Sequence, residues 1–164
     1  MYLLDADVFI EGSKREYGFD FCPAFWRWIE DANSAGLVYS IGKVKTELHG
    51  HRDDLARWAS QHPKLFLEPT EAVAASMTAL AAWATSRTPA FDPGAIATFL
   101  DDEADSFLVA HGHALGAIIV TREVPRNTPR KIKIPDAAKG MGMTCISPWE
   151  MLREQGVRFV LDDS

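Results

Sequence analysis

The sequence predicts an α/β fold built around a mostly parallel sheet. Short apolar runs with strand character, such as YLL at 2–4 and AIIVT at 117–121, alternate with longer stretches whose apolar residues recur at helical spacing. Asp5 directly follows the first of these runs and Thr121 ends the second. That is the carboxyl end of a strand, where open α/β sheets bind their ligands.

In chain order, residues 2–10 read as a buried strand running into a loop. Pro23 suits a first helical position, and Phe25, Trp26, Ile29 and Ala32 fall at helical spacing as far as Ala35, with Gly36 as the stop. LVYSI (37–41) is a short strand, followed by a helical run carrying Val44, Glu47 and Leu48. Asp53 caps a helix containing Leu55 and Trp58, and KLFL (64–67) is another strand. Thr70 caps an Ala-rich packing helix that runs to about Arg87, and TPAFDPG (88–94) is a loop. AIATFLDDEADSFLVAHGHALG supplies one or two helices before the strand AIIVT; Phe107, Leu108, His111 and Leu115 form its packing stripe. MTCIS (143–147) is a strand, a helix starts at Pro148, and VRFVL (157–161) is a last strand.

A chain of 164 residues suits one domain with a real core, and 47% hydrophobic with 24% charged residues is ordinary for a globular protein. No apolar run approaches the roughly 20 residues of a membrane span, and the N-terminus shows no secretory signal. Cys22 and Cys145 are distant and sit in apolar surroundings, as expected of reduced, buried thiols in a cytoplasmic protein. A formal charge of −6 argues against a surface coated with basic residues, while leaving room for a local basic patch.

The acids are the feature that needs explaining. A buried carboxylate is costly unless something compensates its charge. Asp5 ends the first strand, Glu47 follows the second, Asp102 and Asp105 share a helical face, and Glu123 follows Thr121. Four segments thus deliver acids to one edge of the sheet. Such a cluster would repel itself and raise its own pKa values, and a bound divalent ion removes that problem. Mg²⁺ takes oxygen ligands and keeps several waters, whose pKa it lowers.

These segments, LLDADVFI, VKTELHG, DDEADSFLVAHGHALG, IIVTRE and GMTCISPWEML, together resemble the PIN-domain nucleases, in particular VapC-type toxins of toxin–antitoxin pairs. The KIPD segment at 133–136 is similar to that of a divergent PIN-like subgroup. The resemblance covers nearly the whole chain, 1–164, as a single PIN-like domain. It implies a three-layer α/β/α sandwich with a central mostly parallel sheet, an Mg²⁺- or Mn²⁺-dependent endoribonuclease activity, an RNA substrate, a protein antitoxin and a homodimer. By position, it implies Asp5, Glu47, Asp105 and Glu123 as metal-holding catalytic acids and Thr121 as the hydroxyl that orients a ligand or water. Two departures stand out: Asp7 occupies a place often held by Asn, and Glu123 is one methylene longer than the family's Asp. Asp102 and Asp7 are further candidate ligands.

Other readings stand beside these. Asp101 and Asp102 both suit an N-cap, with Asp101 the preferred one, and Asp136 suits a helix start. His111 falls on the packing face as a satisfied core histidine, and His113 lies exposed near the helix end. Trp26, Trp28, Trp58, Trp83 and Trp149 read as core or dimer contacts before base-stacking platforms. Between Arg122 and Lys139, Arg122, Arg126, Arg130, Lys131, Lys133 and Lys139 face only Glu123 and Asp136. Arg122, Arg126, Arg130, Lys131 and Lys133 are candidate RNA contacts; the same stretch also reads as a solvated basic loop. Two further functions compete: a PIN-like module that binds RNA or a partner without cutting, and a phosphatase of the haloacid dehalogenase type using Asp5 and Asp7. The latter family expects Gly-Thr after its second Asp, where Val8-Phe9 stand here.

Overall fold

The computed structural model describes residues 1–50 and 53–160. Five strands form one parallel sheet: β1 (Tyr2–Leu4), β2 (Val38–Ile41), β3 (Phe66–Leu67), β4 (Ile118–Val120) and β5 (Cys145–Ile146), in the order β3-β2-β1-β4-β5. The helices are α1 (Ala6–Glu11), α2 (Pro23–Ser34), α3 (Gly42–His49), α4 (Asp54–Gln61), α5 (Glu71–Ser86), α6 (Pro93–Asp101), α7 (Glu103–Leu115), α8 (Ile134–Gly140) and α9 (Pro148–Glu154). The architecture is the expected α/β/α sandwich, with every strand pair parallel.

The sheet carries the core. Leu3, Leu4, Ile41 and Ile119 are fully buried, with Phe9, Phe25, Ile29 and Leu108 packed from the helices. The longest contact runs between α5 and α7, and α7 also touches α3, α6, α8, β2 and β4. Its buried residues are Ser106, Leu108, Val109, Ala110, His111 and Gly112, which cover it nearly all round rather than along one stripe. Leu115, expected on that stripe, is 47% exposed because the helix ends there, and Gly116 turns the chain into the left-handed region at φ 61°. Trp26 and Trp58 are core residues, their rings 4.9 Å apart.

Several boundaries differ from expectation. The first strand stops at Leu4, and Ala6 onward is helical rather than strand and loop. Asp5 causes the change: its extended backbone and its Oδ1, accepting from the Ala6 N–H at 2.7 Å, make it the N-cap of α1. The 95–116 stretch holds two helices, broken at Asp102, which is the N-cap in place of Asp101. Only Phe66 and Leu67 of KLFL pair as strand, because Pro63–Leu65 form a 3₁₀ turn, and α6 begins inside the expected 88–94 loop at Pro93. Residues 157–160 do not join the sheet. The Val157 N–H closes α9 by donating to the Leu152 carbonyl at 2.9 Å, and the Phe159 ring packs against Tyr17 and Phe25. Leu161, the last residue of that expected strand, lies outside the described residues. Asp53, Thr70 and Ser147 cap their helices through side-chain oxygens.

Among the described residues no helix is long and apolar enough to cross a membrane. Cys22 and Cys145 are both free thiols, partly rather than fully buried.

Candidate active site

The strand order reverses direction at β1, whose neighbours β2 and β4 are reached by crossovers of opposite sense. The crevice for a ligand therefore opens at the carboxyl ends of β1 and β4. Asp5 and Thr121 flank it. Thr121 is 2% exposed, and its Oγ1 lies 2.7 Å from Asp5 Oδ2 and 3.1 Å from Asp7 Oδ2. The hydroxyl has one proton, so it donates to one carboxylate at a time. Both Asp7 oxygens also accept from the Arg122 N–H, at 3.2 and 3.0 Å. Asp7 is thus held by the chain leaving β4, and Asp5 by its own helix.

The electrostatics are those of an under-compensated acid group. Burial pushes Asp5 well above the usual carboxylate range, and the charges of Asp7 and Asp105 push it further against the Thr121 hydrogen bond. Asp7 is also raised by burial, with the Arg122 N–H and the Thr121 hydroxyl opposing. Asp105 rises to about 6, first through burial and then through Asp102, Glu47 and Asp7, with Lys133 opposing. Cys145 registers the same field: burial and then the Asp5 and Asp7 charges push its thiol up to about 12. Asp5 with Asp7, Glu47 and Asp105, from three separate stretches of sequence, are therefore linked by their charges.

Asp105 and Asp102 also line a groove of about 490 Å³, together with Arg130, Lys131, Ile132 and Lys133. Acids and cations share this cavity. Asp102 is committed locally, its Oδ1 accepting from the Ala104 and Asp105 N–H groups at 3.2 Å each.

Glu123 is placed differently from its expected role. Its Oε1 is paired with Lys133 Nζ and its Oε2 accepts from the Ile134 N–H at 3.0 Å, so both oxygens serve the start of α8. The extra methylene gives it the reach for this. Asp136, third residue of α8, accepts from the N–H groups of Arg126 and Lys133 at 3.1 Å and of Asn127 at 3.2 Å. It is the helix-start residue that its sequence position suggests, and it also folds the preceding loop. Arg122 is partly buried rather than freely solvated: its guanidinium pairs with Glu16 at 2.9 Å and lies 5.0 Å from the Trp149 ring centroid. Arg126, Arg130, Lys131 and Lys139 are exposed.

His111 is buried with Nδ1 donating to the Phe107 carbonyl at 2.7 Å, but its Nε2 has no partner among the described residues, so it is only half satisfied. His113 is exposed and its Nδ1 contacts Ser76 Oγ at 2.9 Å. Glu16 and Trp149 border the crevice through Arg122. No signal in the sequence marks Glu16, which ends the π-helical turn Gly12–Glu16.

The donors gathered here are carboxylate and hydroxyl oxygens, the chemistry of a hard divalent ion. Among the described residues, no group of three or more His, Cys, Asp or Glu is drawn together into a ligand set as it stands.

No curated protein and no solved structure matches the chain. A family description matches residues 2–159, nearly the entire sequence, and it is not that of a PIN or VapC family. The chain belongs to the family described as a domain of unknown function (DUF4411).

Proposed function

We propose that this protein is a divalent-metal-dependent endoribonuclease. The observation that carries the reading is the buried Asp5 at the end of β1, raised by burial and by Asp7 and Asp105 at the crevice where the sheet order reverses. Uncompensated charge of this kind costs stability unless a cation is taken up. The oxygen donors fit Mg²⁺ or Mn²⁺, which Asp5, Asp105 and Glu47 would hold. When bound, such an ion supplies a water of lowered pKa and neutralises charge on a phosphodiester oxygen.

The chain's own residues do the remaining work. Thr121 fixes the orientation of Asp5, and the Arg122 N–H pins Asp7 beside it. Arg130, Lys131 and Lys133 line the groove shared with Asp105 and would receive the phosphates on either side of the cut. Glu123 contributes by holding Lys133 at that wall.

The resemblance to VapC-type toxins extends the proposal to a toxin silenced by a protein antitoxin, working as a homodimer in the cytoplasm. A second reading, a PIN-like module that binds RNA or a partner without cutting, draws on the commitment of Glu123 to α8. One experiment separates the two: incubation of total cellular RNA with purified protein in Mg²⁺, Mn²⁺ or EDTA, alongside Asp5→Asn and Asp105→Asn. Metal-dependent cutting lost in both variants supports the nuclease. RNA binding with no cutting in either metal supports the binding module.

A further inference from the structure

A second pocket adjoins the acid crevice on the β5 side. It encloses about 260 Å³ between the loop after β4 and the start of α9, and its lining includes Thr121, Arg122, Glu123, Cys145, Trp149 and Glu150. Thr121 lines this pocket while its hydroxyl contacts Asp5 and Asp7, so it links the two. Cys145, on the pocket wall, feels the charges of the same two acids. The pocket therefore begins where the acid site ends.

Trp149 is 38% exposed, whereas Trp26 and Trp58 are buried and Trp28 and Trp83 are partly covered. An exposed indole at the second position of a helix has no packing role that requires its size. Its ring is held by the Arg122 guanidinium 5.0 Å from the centroid, and Arg122 is itself fixed by Glu16 at 2.9 Å. The guanidinium lies over one face of the ring, and the residue is still 38% exposed, which leaves indole surface on which a nucleobase can stack with the cation reinforcing it. The groove of Arg130, Lys131 and Lys133, by contrast, offers charge and little aromatic surface, the ring in its lining being the buried Phe99. The two flanks thus differ in kind: phosphates on one side, a base on the other.

We infer that Trp149 and Arg122 form a nucleobase subsite, so that the substrate is a single strand with one unpaired base seated beside the scissile phosphate. The inference rests on the nuclease reading and adds to it the form of the substrate. In a duplex, the base is stacked between its neighbours and unavailable to the indole, so paired strands are poor ligands.

The test is fluorescence anisotropy in EDTA, where binding is read without metal-dependent cutting. The probes are a labelled 12-nucleotide single-stranded RNA of mixed sequence, the same RNA as a duplex, and an abasic strand of equal phosphate number. Trp149→Ala is expected to weaken binding of the single strand about tenfold and to leave the abasic strand unchanged. Trp149→Phe is expected to retain most of the affinity, and unaltered thermal melts would show that both variants fold. Equal loss on the single strand and the abasic strand, no loss on either, or wild-type binding that favours the duplex overturns the subsite. A Trp149→Ala protein whose oligomeric state changes while its RNA affinity does not would make Trp149 a protein contact and also overturn it. Wild-type cleavage with Mg²⁺ or Mn²⁺, measured in parallel, keeps the two proposals apart. Cutting with an indifferent Trp149 removes the subsite alone, and neither cutting nor binding removes both.

Discussion

Replacing Asp105 by Asn should make the protein more stable while it removes the activity. In the fold, this carboxyl titrates at about 6 rather than at its ordinary 3.8, because burial and the charges of Asp102, Glu47 and Asp7 oppose ionisation. That rise corresponds to about 3 kcal/mol between the two protonation states. Part of the side chain reaches solvent, which screens the interaction, so a gain of about 1–2 kcal/mol is the working figure for the Asn variant at pH 7. For a chain of this length, that raises Tm by roughly 2–8 °C. The sign follows from proton binding. Between pH 3.8 and about 6 the folded state holds the proton that the unfolded state has released. Stability contributed by Asp105 is therefore greatest below 3.8, falls across this window, and stays low above it. The advantage of Asp105→Asn should grow from nothing near pH 4 to its full size by pH 7. Melts of both proteins in EDTA from pH 4 to 8 measure it. Saturating Mg²⁺ or Mn²⁺ should stabilise the wild type more than the variant and so narrow the gap. A variant that melts below the wild type at pH 7 in EDTA would refute the account of an uncompensated acid.

Three other outcomes follow from the same geometry. Thr121→Val removes the donor to Asp5 Oδ2 and should cost about 1–3 kcal/mol in denaturant unfolding at pH 7, with cleavage reduced by at least tenfold. Lys131→Ala should weaken single-stranded RNA binding and lower the slope of log K against log salt by about 0.7, as expected for one lost phosphate contact. Asp136→Ala strips acceptors from the N–H groups of Arg126, Asn127 and Lys133; it should destabilise by about 1–3 kcal/mol and bring early amide exchange to residues 126–133.

The sheet was legible because each of its five strands lies within a short apolar run, and Asp5 and Thr121 were found by their places at the ends of two of them. The first helix was hidden by its own cap. DVFI reads as strand by composition, and only the Asp5–Ala6 hydrogen bond turns it. VRFVL has the same apolar character, yet the Phe159 contact with Tyr17 and Phe25 comes from a segment over a hundred residues away, which no local pattern reveals. Asp105 announced itself by preceding a helical apolar stripe. Glu123 occupies the expected position in the chain, but its partner is fixed by how ten residues of loop return to α8. A side chain's place in the order of motifs does not say which way it turns when a lysine and an open helix start lie within reach.

The pairing of Glu123 with Lys133, and the three N–H groups gathered by Asp136, mean that the cationic wall hangs from acids of its own loop and helix. In the proposed nuclease, an arriving strand would meet lysine already engaged and would have to compete with Glu123 for Lys133 before holding it. Such a wall would act as a selectivity filter against weak anions. Free phosphate or a short dinucleotide would make too few contacts to draw the lysine away, whereas a longer strand, anchored elsewhere along the groove, would do so at high local concentration. Length discrimination would then be written into an internal ion pair rather than into the dimensions of the groove.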